Sequence, residues 1–124
     1  MSRAIACITA LTLTGVVVSN ALASHSALHT VAPTRAQRAA ILKAFGDPGA
    51  PARCLPVGLA ASNHAFARVR YRPRTGCARW GFNGVNVLRK QRSGRWKVVF
   101  EASSYSCPRP RIPRQVQRDL GICP

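Results

Sequence analysis

An even set of cysteines, Cys54, Cys77, Cys107 and Cys123, runs through the part of this chain that reads as folded. In an exported chain an even number reads as two disulfides, and export is what residues 1 to 23 suggest. Arg3 supplies one positive charge ahead of an apolar run from Ala4 to Val18, and a Ser-Asn step and Ala21-Leu22-Ala23 follow. That is the pattern of a secretory signal peptide cleaved after Ala23, which would also remove Cys7. The rival is an uncut anchor. The threonines, Gly15 and the Ser-Asn break leave the run short and weak for crossing roughly 30 Å of hydrocarbon. No second long apolar run follows, so no transmembrane anchor is expected after cleavage.

Cleavage would leave 101 of the 124 residues, enough for one domain. A domain of that size buries only about two-thirds of its unfolded surface, so cross-links matter. Each bridge would contribute on the order of 3 kcal/mol by restricting the unfolded chain. A structural zinc site is the competing use of the thiols. It is disfavoured because no C-x-x-C pair exists and His64 is the lone histidine of the folded-looking part. Neither metal nor cofactor is expected.

Four cysteines allow three pairings, and sequence alone does not choose among them. Geometry favours Cys54 with Cys77 and Cys107 with Cys123. If a hairpin turns near Asn63, residues 54 and 72 are equidistant from the turn, and Cys77 need only curl back. Cys107 and Cys123 bracket a short proline-rich and helical stretch.

Residues 24 to 33, "SHSALHTVAP", lack periodicity and read as a flexible arm, leaving residues 34 to 124 as a single domain. Thr34 opens a T-x-x-Q capping box with Gln37. Ile41, Leu42 and Phe45 form an apolar stripe, and Gly46 ahead of "DPG" stops the helix. "CLPVGLAAS" and "HAFARVRY" read as strands around a turn at Ser62-Asn63. The second of these places Val69 and Tyr71 on one face, with Phe66, Arg68, Arg70 and Arg72 on the other. "GVNVLRKQ" and "RWKVVFEA" form another hairpin through Arg92-Ser93-Gly94-Arg95, with Trp96, Val98 and Phe100 sharing a face. Prolines start the tail extended. Pro113 then suits a first helical position, and Val116 and Leu120 give a short helix one apolar edge. The expected fold is α+β: an N-terminal helix packed on a four-stranded antiparallel sheet of two hairpins, a short C-terminal helix and two disulfides.

The chain carries 19 Lys and Arg against three Asp and Glu, a formal charge of +16. Such an excess draws a protein toward polyanions. Arg68, Arg70 and Arg72 read as one solvent face of their strand. With Arg114 and Arg118 on the last helix they are the candidate anion-binding residues. Nucleic acid is a weak candidate partner. Tyr71 faces away from the arginines, no nucleic-acid-binding motif is present, and binding would be non-specific. A loop tethered by Cys77 carries Arg79, Trp80 and Phe82, residue types frequent at binding hot spots, and could hold a protein partner. For catalysis, His64 and Glu101 beside an arginine could imitate a small ribonuclease, but nothing in the spacing brings them together.

The stretches "RAAILKAF", "ARCLPVGLAAS", "SGRWKVV" and "QRDLGICP", covering most of residues 35 to 124, resemble small secreted actinobacterial proteins of unknown function. The resemblance implies export, disulfides and the same architecture, and it transfers no activity and no functional residue. The resulting expectation is a secreted, non-enzymatic protein. It would act at or near the cell envelope through contact with anionic polymers or lipids. A phosphodiester-cleaving enzyme and a loop-based binding or inhibitory module are the alternatives.

Overall fold

The computed structural model describes residues 28 to 124; the expected signal peptide and residues 24 to 27 of the arm lie outside them. The capping box forms as the sequence implies. Gln37 N–H donates to Thr34 Oγ1 at 3.1 Å, and Thr34 N–H donates to Gln37 Oε1 at 2.8 Å. Helix α1 therefore starts at Arg35 and runs to Phe45. It ends where Gly46 takes a φ of 103°, with Asp47 N–H donating to Leu42 O and Gly46 N–H to Lys43 O. Only glycine takes that left-handed turn without strain.

The strands are β1 (Thr30–Val31), β2 (Val57–Ala60), β3 (Asn63–Val69), β4 (Val85–Lys90) and β5 (Trp96–Ala102), and helix α2 spans Arg114–Asp119. They form one antiparallel sheet in sequence order. Its five strands correct the expected four. Thr30 and Val31, placed in a flexible arm by sequence, pair with Ala60 and Leu59. Two residues are too few to show alternation. A Cβ on Gly58 would lie 2.9 Å from the Thr30 side chain, so the glycine makes room for this added strand.

The β2–β3 register pairs Val57 with Val69 and Leu59 with Ala67. The same register continues to Arg72 N–H, which donates to Cys54 O at 2.9 Å. Residues 54 and 72 are thus opposite, as the turn position implies, although the turn is Ala61-Ser62. Cys77 curls back to Cys54 with a Cα separation of 5.2 Å, and Cys107 joins Cys123 at 5.8 Å.

Strands β4 and β5 meet through the expected Ser-Gly turn, but the ladder slips between Val87 and Leu88. Leu88 faces Val98 and Val87 faces Phe100, which leaves Val99 as a bulge, 43% exposed. An inserted residue reverses side-chain parity beyond it. Trp96 and Val98 consequently join the core beneath α1, whereas Phe100 joins a core on the opposite face. The single face expected for these three side chains is corrected.

That second core is the larger departure. Beneath α1, Ile41 and Leu42 pack on Leu59, Ala67, Val69, Leu88 and Trp96. On the other face Phe66 and Val87 meet Ile112, Val116, Leu120 and Ile122 from the tail. The sheet is covered on both sides, where the sequence suggested a helix on one. Buried polar side chains complete the joints. Asn86 lies opposite Val69 and takes both its backbone groups, accepting from N–H at 2.9 Å and donating to the carbonyl at 2.8 Å. Gln117 donates to Arg109 O and Ile112 O and accepts from Arg109 N–H, clamping the proline-rich segment onto α2.

Candidate functional site

The arginine stripe divides when placed on this frame. Helix α2 ends in a Schellman turn, with Gly121 N–H donating to Arg118 O and Ile122 N–H to Gln117 O. The Leu120 and Gly121 carbonyls remain at the negative end of the helix. Arg68 Nη1 donates to Leu120 O at 2.9 Å and to Gly121 O at 3.3 Å, and Arg70 Nη2 donates to Leu120 O at 3.0 Å. Cations at that end are favoured by the helix dipole. Burial lowers the Arg68 pKa to about 10, reinforced by the neighbouring Arg70 charge and partly offset by Tyr105. Burial lowers that of Arg70 as well. The expected solvent face is therefore corrected, because Arg68 and Arg70 lie half-buried under the tail.

Arg72, by contrast, is exposed, as are Arg114 and Arg118. Replacing Arg68 with alanine is expected to lower stability by about 1.5 kcal/mol, since two carbonyls lose a charged donor. Arg72→Ala should stay within about 0.5 kcal/mol, as surface changes do. Urea unfolding of the two variants checks the division.

His64 and Glu101 are not brought together. Glu101 pairs with Asn86, and Asn86 in turn is held by Val69, five positions along β3 from His64. Strand rise and spacing then separate the two by about 19 Å, far beyond hydrogen-bond reach. Asp119 is the buried acid, 2% exposed. It accepts from the Ser62 hydroxyl, from Ser62 N–H at 2.8 Å and from Gln115 Nε2 at 2.9 Å. Burial pushes its pKa up. The bonds from the Ser62 hydroxyl, Gln115 and Ser62 N–H, with the charge of His29, outweigh that and hold it below the ordinary value. The carboxylate is a strut between α2 and the β2–β3 turn.

In the tethered loop, Phe82 stacks edge-on against Phe45 at 5.0 Å and lies 6.3 Å from Tyr71. Trp80 and Phe82 are half-buried against the α1 core. Arg79 is exposed and covers the Trp80 ring at 4.5 Å. These aromatics close the edge of a core before they offer anything to a partner. Among the described residues no group of three or more His, Cys, Asp or Glu could hold a metal ion, and no helix is long and apolar enough to cross a membrane.

The densest charge lies elsewhere, at the tip of the β4–β5 hairpin. Arg89, Lys90, Arg92, Arg95 and Lys97 are all exposed there. Arg89 faces Lys97 directly across the ladder. Like charges so placed destabilise a strand pair. Arg89 also sits 5.6 Å over the Phe66 ring, and a depression beside it is lined by Arg89, Lys90, Gln91, Arg92 and Ser93. The text "RKQRSGRWK" shows this run plainly. The sequence alone marks it as a hairpin turn, and the opposition of Arg89 and Lys97 emerges only with the strand register. No protein-family model, no curated protein and no solved structure matches the chain.

Proposed function

We propose that this is an exported, non-enzymatic binding protein that acts at or near the cell envelope by electrostatic contact with anionic polymers or lipids. The observation that carries the reading is the lopsided outer surface. Among the described residues eighteen Lys and Arg stand against three acids, and one of those acids, Asp119, is turned inward. A field so weakly opposed attracts polyanions without a shaped pocket. The two disulfides fit an extracellular setting. The separation of His64 from Glu101 favours binding over phosphodiester cleavage.

Co-sedimentation of the disulfide-bonded protein with isolated envelope tests this. The protein is expected to pellet at low salt and to be released near 1 M salt, where the screening length falls to about 3 Å. A protein that stays in the supernatant at low salt, or pellets equally at both, would overturn the reading.

A further inference from the structure

We propose that the β4–β5 hairpin tip is the contact element, and that its ligand is a linear, phosphate-bearing polymer. The inference rests on the binding function proposed above and assigns it to one place and one chemistry.

The tip concentrates charge of which the fold uses little, the contact of Arg89 over the Phe66 ring being the exception. Arg68, Arg70 and Arg38 donate to main-chain carbonyls inside the molecule. Arg118 is tied to Gln115. At the tip, Arg89 and Lys97 instead face one another as like charges, and the acid of the same hairpin, Glu101, sits at its far end opposite Asn86. An arrangement that disfavours the free hairpin is relieved when an anion bridges the two side chains over that face of the sheet. Arg89, Lys90 and Arg92 also line the depression at the turn. From the Arg89–Lys97 pair to the turn is about 10 Å at the rise of a strand. That span accommodates successive phosphates better than a single one.

The surroundings narrow the chemistry. Three of the five bases are arginine, whose planar fork matches phosphate oxygens in pairs. A lipid surface would call for exposed apolar side chains beside the charge. Among the described residues the exposed large hydrophobics are Leu28, Val31 and Val99, and only Val99, two residues beyond Lys97 on β5, lies near the charge, a single side chain rather than an apolar face. Single-stranded nucleic acid would call for exposed aromatics on which bases stack. The aromatic residue of the tip, Trp96, is 8% exposed and packed beneath α1. A flexible polymer of phosphate groups without bases or acyl chains suits what remains.

Two triple variants remove the same charge from different places. Arg89→Gln/Arg92→Gln/Lys97→Gln empties the tip, and Arg72→Gln/Arg114→Gln/Arg118→Gln empties exposed sites outside it. Long-chain inorganic polyphosphate is the probe, titrated across a salt series. The tip variant is expected to bind about tenfold or more weaker, with the slope of log K against log salt shallower by about two. The other triple should change both much less. The urea midpoint of the tip variant should change little, because relief of the like-charge pair offsets the lost contact of Arg89 over Phe66, so its loss of binding is not unfolding.

Equal losses in both triples would overturn the assignment to the tip and leave the envelope reading standing. Absence of binding by the unaltered protein, to polyphosphate and to envelope alike, would overturn both. Phosphatidylglycerol vesicles and a single-stranded oligonucleotide are the comparison ligands at matched phosphate. Tighter binding to either one, lost in the tip variant, would overturn the polymer as the ligand.

Discussion

Replacing Cys54 and Cys77 together with alanine is expected to lower the unfolding free energy by about 3 to 4 kcal/mol. The bond closes a loop with a sequence separation of 23, and both cysteines are 0% exposed. Loop-closure entropy alone gives roughly 3.4 kcal/mol for a loop of that length. A domain of about 100 residues has of the order of 5 to 15 kcal/mol in total, so the change is large. Urea unfolding followed by tryptophan fluorescence is well placed to detect it, since Trp80 lies in the short 3₁₀ turn that starts just after Cys77. A loss below about 1 kcal/mol would show that the β2–β3 register, through Arg72 N–H and Cys54 O, already fixes this loop without the bond.

An Asp119→Ala change should rank beside it, lowering stability by about 3 kcal/mol. The carboxylate accepts from Ser62 N–H, the Ser62 hydroxyl and Gln115, and truncation removes the charged acceptor of all three. Bonds to a charged group contribute about 1.5 to 3 kcal/mol, and three of them converge on this one carboxylate. The pH dependence follows from the direction of the shift. The folded pKa is held below the ordinary carboxylate value, so the ionised form belongs to the native state. The stabilisation is complete above the unfolded value of about 3.9 and fades as pH falls through the lower folded value. An Asp119→Asn variant should lack that contribution. The gap in urea midpoint between it and the unaltered protein should therefore be wide at neutral pH and narrow in strong acid. A gap of constant width would show that the carboxylate's charge is not what holds the turn.

Local chemistry made much of the fold legible. Thr34 with Gln37 announced the start of α1, Gly46 its end, and Ser93-Gly94 the second turn, each through groups a few residues apart. The disulfide pairing followed from the same near-range counting. Long-range events were not legible. Val99 looks like any strand residue, yet its slip sends Phe100 to the opposite core. Ile112, Val116 and Leu120 announce an apolar edge without naming the surface they cover. That omission is why Arg68 and Arg70 read as a wet stripe, since their partners are main-chain carbonyls about 50 residues away. The hairpin cluster failed for another reason. Its residues were in plain view, but the Arg89–Lys97 opposition depends on a register that composition does not reveal.

The two covers of the sheet differ in when they become available. Helix α1 precedes β2 to β5 in the chain, and each strand pairs with its neighbour in sequence. One side can therefore close as the polypeptide is synthesised. The side carrying Phe66 and Val87 lacks its apolar cover until the tail arrives, because Tyr105, Ile112, Val116, Leu120 and Ile122 all come after the last strand. A chain still emerging is half finished, with that apolar surface open. Joining Cys107 to Cys123 is then a late event in assembly, and it marks the molecules that have closed.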